Sequence, residues 1–498
     1  MIIELPIWVY AELTGPYGVE VGRTIRWVRD KYQTYLNGAD FESDFDSKSS
    51  EDEFNSTHLK SKKVKRLIDQ EAEFMVGKTP EFRFQLADDV KATDNDNPTN
   101  QNLDYESRQK KESEVRSFIE KILKKNRFSA KLMRGCKDCF IGGKVALAIS
   151  VMDDKVRLTF MPADTFVYET LDDDVDTIKK FIAFECTNDV EDKGDQRWWR
   201  MRYRLEDGHV YLQESIYDGY GALVSHEGEE IDTQLDRIPV CIIINGGLSG
   251  NLHGESDVDA VEEEDSYYNK MRSQNLDTTR KSMNPIEYII GASKNSFDRL
   301  SRMPGAINDI QPDPTLLNKG LKPEVGKTEN SFTYGSVYEE TLENIKDEMY
   351  STLGIPDVSS AKTSGLITSG KGLKALYWPL ICRCNEKWTA WEPALEWMAE
   401  TLIYFASVFP QLKERYGSFD DSYYYVPFID HMYPLPEDEA EERELDLKEV
   451  GVSRSMKSYL MEWGGPNHKG LSSEEADKEI EQIVREKRML EDDDFEEV

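Results

Sequence analysis

Apolar positions recur along this chain with two different periods, and the switches between them outline its elements. Through the first third they return every three or four residues, the spacing that keeps one face of a helix apolar. Helices are predicted over 22–36, 62–75, 113–125 and 127–142, the second with Val64, Leu67, Ile68, Ala72 and Met75 inward. A single alternating stretch at 81–86 follows Gly77 and Pro80 and predicts a strand. From 143 to 244 the period falls to two, which sends alternate side chains to opposite faces of a strand. Strands are predicted at 145–149, 156–160, 165–169, 179–186, 198–205 and 210–216, with Asp207-Gly208 as a hairpin turn. This order describes an antiparallel sheet region packed by helices, not alternating β and α units. Of the pair Trp198-Trp199, one ring is expected in the core and the other at the surface or an interface.

Downstream the helical period returns. Gly246, Gly247 and Gly250 mark a junction, and a helix over 256–283 opens with the capping-box pair Ser256 and Asp259 and the acidic run Glu262, Glu263, Glu264 and Asp265. Such a run complements the partial positive charge of a helix start and is expected on a solvent or lumen face. Asn284-Pro285 ends the helix, and short strands and turns are expected to residue 332, most clearly at 286–290. A second helix, 336–353, begins with another capping-box pair, Ser336 and Glu339. It carries Tyr338, Leu342, Ile345, Met349 and Leu353 on one face and stops at Gly354 and Pro356. A Ser/Gly/Thr/Lys-rich loop, 357–372, then leads into a helix over 371–410, roughly 60 Å long at about 1.5 Å per residue. Bends are expected at its Pro379 and Pro393. From 437 the pattern is of charged helices at 443–450, 453–463 and 473–490, then an acidic tail. The polar tracts 38–57 and 88–111 read as solvated insertions.

The loop contains Gly365-Leu-Ile-Thr-Ser-Gly370-Lys371-Gly372, one residue short of a phosphate-binding loop. Nucleotide binding there needs a hydroxyl after the lysine to hold magnesium and a buried strand before the loop. Position 372 is glycine and the residues before the loop are no buried strand, so the spacing follows from a flexible composition. The six histidines (His58, His209, His226, His253, His431 and His468) are scattered, with no Gly-x-Ser-x-Gly or His-Glu-x-x-His pattern, so no catalytic residue is expected. Cys136-x-x-Cys139 and Cys382-x-Cys384 lie far apart, and the second has a one-residue gap, so ordinary thiols are expected and no metal or cofactor. Six cysteines in 498 residues suit a reducing compartment.

No run approaches the roughly 20 apolar residues of a membrane span, and the start, Met1-Ile-Ile-Glu-Leu-Pro, lacks the basic region of a signal peptide. The balance of 62 basic to 96 acidic residues, a net charge of −34, excludes tight nucleic-acid binding by phosphate neutralisation. Three lysines in or beside the loop, Lys362, Lys371 and Lys374, are still enough for weak, salt-sensitive contact with a polyanion.

Five landmarks follow one another in order. They are Lys63-Val-Lys-Arg-Leu-Ile-Asp-Gln-Glu-Ala-Glu-Phe-Met-Val-Gly-Lys-Thr-Pro80; Gly142-Gly-Lys-Val-Ala-Leu147 with Met161-Pro-Ala-Asp164; Gly254-Glu-Ser-Asp-Val258 leading to Tyr268-Asn269; Leu353-Gly-Ile-Pro356; and Val452-Ser-Arg-Ser-Met456. In this order the chain resembles the portal proteins (head-to-tail connectors) of tailed bacteriophages, particularly the siphophage-like branch that packages DNA by a headful mechanism. The resemblance implies an α+β, mainly helical multi-domain fold that assembles into a ring, dodecameric in the virion, at one capsid vertex. It implies a wing over 1–252, a stem helix over 253–283, a clip over 284–335, a second stem helix over 336–354 and a tunnel loop over 355–372. A long kinked wing helix with its following segment would occupy 373–436, and a crown with acidic tail 437–498.

The DNA-facing loop implied by the resemblance contains Lys362, Ser364, Gly365, Thr368, Ser369, Lys371 and Lys374, and Glu262, Glu263 and Asp265 would form an acidic stem face toward the channel. The implied role is that of a conduit without enzymatic activity, made in the host cytoplasm and carried at the portal vertex of the virion. Its implied partners are double-stranded DNA, the packaging terminase, a head-completion or adaptor protein, and the major capsid and scaffolding proteins, with no membrane. Two alternatives stand beside it: an ATPase using Gly365 to Lys371, and another head or tail protein without a DNA channel.

Overall fold

Helix gives way to sheet at Gly143, where a left-handed backbone (φ 76°) ends one element and starts the next. The computed structural model describes the chain except residues 1–3, 16–17, 44–55, 88–104, 172–173, 175, 225–228, 249–250, 284–286, 294–310, 314–323, 328–333, 358–369, 436–442, 444–445, 452–454, 465–469, 472 and 494–498. It divides into two units, Met1–Asp357 with Tyr377–Tyr433, and Val358–Leu376 with Pro434–Val498.

The first unit begins with α1 (Ile7–Thr14), α2 (Gly18–Asn37), α3 (Lys63–Val76), β1 (Glu81–Leu86), α4 (Tyr105–Asn126) and α5 (Phe128–Gly142). Strands β2 (Lys144–Met152), β3 (Lys155–Pro162), β4 (Phe166–Thr170), β5 (Ile178–Asn188), β6 (Arg197–Glu206), β7 (His209–Tyr217), β8 (Ile231–Asp232) and β9 (Val240–Ile244) follow. Then come α6 (Asp259–Met283), β10 (Glu287–Ile290), β11 (Glu324–Lys327), α7 (Gly335–Thr352), α8 (Gly370–Val408), α9 (Gln411–Tyr416) and β12 (Tyr425–Asp430). The fold is mixed α+β, and every strand pairing is antiparallel. Sheet orders are β3-β2-β9 and β4-β5-β6-β7-β8, with β1 pairing β12 and β10 pairing β11.

The tight hairpins follow from turn chemistry. Asp207 and Gly208 both have positive φ (51° and 78°), as do Asp153 and Asp154 (49° and 57°) between β2 and β3. A two-residue turn of this hand matches the twist of the strands it joins. Helix α5 lies on the three-stranded sheet because Gly135 has no side chain: a Cβ there would fall 2.6 Å from the Phe160 ring. The outer edge of β3 is closed by one amide, since Asn126 Nδ2 donates to the Val156 carbonyl and its Oδ1 accepts from Leu158 N–H, both at 3.0 Å. On the five-stranded sheet, Val9 and Leu13 of α1 and Ile25 of α2 pack with Val167, Ile182, Phe184 and Trp198. Trp198 is buried and Trp199 half-buried, as the paired tryptophans led one to expect.

Along α8 the expected stripe Trp388, Trp391, Leu395, Met398, Leu402 and Phe405 is fully buried. Five elements went unforeseen: α1, β8, β9, α9 and β12. Helix α4 starts at Tyr105, so the end of the tract expected to be a solvated insertion is helical. In the second unit, α10 (Met456–Trp463) is capped by Ser455, whose hydroxyl accepts from Ser458 N–H (3.1 Å). It packs on α11 (Ser473–Asp493), with Lys457 paired to Asp477 at 2.8 Å.

Tyr32 of α2 donates to Asp138 of α5 (2.9 Å), and burial pushes that carboxyl up to about 6. A carboxyl raised in the folded state contributes stability below its unfolded value and loses it as pH rises through the folded one. Asp138→Asn keeps an acceptor for Tyr32 and removes that loss. Its stability relative to wild type should therefore grow by about 3 kcal/mol at most between pH 4 and pH 7. Urea midpoints across that range measure it, and a pH-independent difference would contradict the assignment.

Candidate functional site

Helices α7 and α8 lie on either side of the loop segment that the sequence marks out, and α6, packed on α7, is built to be held along its length. Asp265, Asn269, Ser273 and Asp277 recur every four residues, so they share one face, and all four are buried. That face receives the backbone of the stretch 57–61 as a strap. Ser61 N–H donates to Asn269 Oδ1 (2.8 Å), Leu59 N–H to Ser273 Oγ (2.9 Å) and Thr57 N–H to Asp277 Oδ2 (3.0 Å). The spacing explains the fit: two residues of extended chain advance about 6.6 Å and four helical residues about 6.0 Å. Odd-numbered strap amides therefore meet successive rungs in antiparallel register. Residue 39 joins the same seam, its N–H donating to Asp265 Oδ2 (2.9 Å) and its carbonyl accepting from Asn269 Nδ2 (3.2 Å). The described ends of the tract 38–57 are thus anchored on α6.

This arrangement corrects the expected acidic face. Asp265 is fully buried, held by Ala39 N–H, the Ser61 hydroxyl and Asn269, and burial pushes its carboxyl up despite those donors. Glu262 and Asp259 both pair with Lys31 of α2, and Glu262 also accepts from Thr34 (2.5 Å). Burial opposes the charge of Lys31, but the two carboxylates outweigh it and raise its pKa. Of the three acids, Glu263 is exposed, beside a groove lined by Asp30, Asp40, Glu42 and Lys270. The Ser256 hydroxyl donates to the Ile141 carbonyl (2.6 Å) and accepts from Asp259 N–H at 3.4 Å, so only half of that capping box is made.

Helix α7 begins at Gly335 with Tyr334 as N-cap and no side-chain cap, so the Ser336–Glu339 capping box is not used. Glu339, Glu340 and Glu343 face outward and Met349 and Leu353 are buried, as the periodicity requires. Tyr334 Oη donates to Asn275 Oδ1 of α6 (3.3 Å). At the other end Gly354 takes φ 66° and Ile355 N–H donates to the Tyr350 carbonyl (2.9 Å), the usual left-handed stop. A Cβ on Gly354 would lie 3.1 Å from the Pro379 carbonyl carbon, so the end of α7 abuts α8 at its first proline. Lys346 pairs with Asp357, the last described residue before the loop.

Residues 358–369 lie outside the described residues, and with them Lys362, Ser364, Gly365, Thr368 and Ser369. Lys371 falls in the first turn of α8, and Lys374 is exposed on that helix. The segment is entered from a helix, not from the strand a nucleotide loop needs. Among the described residues no group of three or more His, Cys, Asp or Glu side chains is placed to hold a metal ion. Burial pushes the Cys384 thiol up to about 12 and that of Cys139 upward too, which makes them poor nucleophiles.

Sequence reading missed a knot of four charges, three of them buried and Arg383 half-buried. Arg383 and Lys387, one turn apart on α8, bind Glu71 of α3 and Asp257, two residues before α6. Arg383 Nε lies 2.8 Å from Glu71 Oε1, Lys387 Nζ lies 2.9 Å from the same oxygen, and Arg383 Nη2 lies 2.5 Å from Asp257 Oδ1. Lys387 also pairs with Asp257 and sits 3.4 Å above the centre of the Phe140 ring. Burial raises the pKa of Glu71, while the two carboxylates outweigh burial and raise that of Lys387. The available signal was a pair of cations set among Leu380, Cys384, Trp388 and Trp391 on an otherwise apolar face.

The family model described as "Phage portal protein, SPP1 Gp6-like" matches residues 25–492. Among solved structures, a chain of the "Neck of empty GTA particle computed with C6 symmetry" is similar at 12% identity, covering 80% of this chain and 88% of that one with a TM-score of 0.41. No curated protein matches the chain.

Asn269→Ala removes its bond from the strap's Ser61 N–H and its bond to the Ala39 carbonyl and leaves buried backbone groups unpaired, a local cost of about 2–4 kcal/mol. Hydrogen exchange at Ser61 should accelerate more than tenfold while the amides of α8 around Trp388 keep their protection. Unchanged exchange at Ser61 would show that the rungs do not hold the strap.

Proposed function

The chain belongs to the family of phage portal proteins like SPP1 Gp6, and from that membership we propose that it closes into a ring at one capsid vertex and conducts double-stranded DNA. As a family member it is a structural portal component of a phage particle. DNA enters through the ring during packaging and leaves through it on ejection, and the ring is a dodecamer in the virion. Terminase docks on it during packaging and a head-completion or adaptor protein afterwards, within a shell of capsid and scaffolding proteins. Residues 1–252 form the wing, α6 and α7 the stem, 284–335 the clip and 437–498 the crown. Residues 355–372 are the tunnel loop, with Lys362, Lys371 and Lys374 in reversible contact with phosphates.

The observation that carries this reading is the junction of Gly354 with Pro379. It brings together the described residues on either side of the segment, which suits a loop presented to a moving polymer. The strong negative charge of the chain fits a conduit, since a lumen that gripped phosphates would stall the DNA.

Averaged particle images of the full chain over a concentration series should show closed rings with a channel wide enough for duplex DNA, about 20 Å. Shortening 358–369, or replacing the three lysines by alanine, should leave ring formation intact and lower packaged DNA several-fold in a packaging assay. Rings lost on shortening the loop would make it structural. ATP turnover abolished by Lys371→Ala would favour the nucleotide reading instead.

A further inference from the structure

Lys144, the first residue of β2, is a buried cation with no buried anion beside it among the described residues. It is 8% exposed, and among the described residues its ammonium meets only neutral groups. These are the Leu252 carbonyl at 3.4 Å, His253 Nδ1 at 3.3 Å and the face of Tyr168, whose centre is 5.2 Å away. Burial alone lowers its pKa to about 8, and burial next to this cation lowers that of His253 too. An ammonium desolvated without a counter-charge is costly.

The backbone fixes this arrangement. Gly143 and Gly254 both have positive φ and lie back to back, so closely that a Cβ on Gly254 would fall 1.9 Å from the Gly143 carbonyl oxygen. That contact presses residues 252–254 onto the start of β2 and keeps the carbonyl and the imidazole at the ammonium.

Lys144 lines a cavity of about 350 Å³ between α2, β4 and β5. Its other walls include Thr24, Ile25, Phe166, Thr170 and Lys179. Glu169 also lines it, but the contacts of the Lys144 ammonium among the described residues do not include that carboxylate. We propose that this cavity is an interface site that receives a carboxylate side chain from a second copy of this chain. Lys144 and Lys179 set against Glu169 leave one net positive charge in the lining, which suits a monoanion; a phosphate dianion would bury excess charge. A second copy is the fitting source because each chain has 34 more acidic than basic residues, so neighbouring copies repel unless cations are placed to meet carboxylates. The inference rests on the ring assembly proposed above and names one contact within it.

The test compares full-length Lys144→Met with wild type by native mass spectrometry over a concentration series, alongside monomer melting. Removing an uncompensated buried charge should leave the monomer melting at or above the wild-type temperature, while the concentration at half-assembly rises at least tenfold. Assembly of the variant at the wild-type concentration would overturn the inference and leave the ring reading standing. Failure of wild type to assemble would count against the ring reading itself. A second measurement is independent of the variant's folding. Rings mixed from isotopically light and heavy wild-type chains are coupled with a carbodiimide, which should join Lys144 to an acidic peptide of the other label. Coupling only within one label, or none at Lys144, would refute the contact.

Discussion

Four charges, three of them shut away from water and Arg383 half-buried, tie three helical segments of this molecule together. Glu71, Asp257, Arg383 and Lys387 come from α3, the approach to α6, and α8, so one cluster joins the start of α6 to the helix that follows the loop. Each carboxylate meets both cations and the charges sum to zero, which is the condition under which such a group is tolerated in a core. The cost of breaking it is asymmetric. Losing one member strands its partners in a medium that cannot solvate them, whereas an apolar set of the same shape would avoid the problem altogether. The knot therefore specifies which helices meet, more than it adds to overall stability.

The strap on α6 solves a related problem by a different route. Backbone that leaves regular structure must find partners for every buried N–H and carbonyl. Here the rungs at 265, 269, 273 and 277 supply them, because an extended chain and a helix happen to advance almost equally for two and four residues. The acids that sequence reading assigned to an open channel face are partly consumed by this task. Asp265 lies inside the seam and Glu262 is committed to α2, while Glu263 remains exposed. Acidity of a segment is thus a poor guide to where its charges point.

Much of the architecture was legible because it follows from local rules. The change of period near Gly143, the Asp207-Gly208 hairpin and the buried stripe of α8 all come from side-chain spacing and turn chemistry. Membership in the portal family was likewise visible in the order of short segments. What stayed hidden depends on distant partners. Strand β12 carries Pro427 and exists because β1 pairs with it across more than three hundred residues. Strand β9 is only five residues long and completes a sheet begun a hundred residues earlier. The charge knot joins positions 71, 257, 383 and 387, and nothing local distinguishes those charges from solvated ones except the apolar company of Arg383 and Lys387. Ser336 failed as a cap because α7 starts two residues before the point that cap requires, with Tyr334 in the cap position, a shift that spacing rules do not resolve.

The account depends most on the claim that the knot is one coupled unit. A double-mutant cycle with Lys387→Met and Asp257→Asn, read by chemical denaturation at neutral pH, tests it directly. Each single change should cost about 3–5 kcal/mol, and the double variant should cost less than their sum by at least about 2 kcal/mol. Costs that add to within about 0.5 kcal/mol would mean the four charges act separately and do not hold the helices as described.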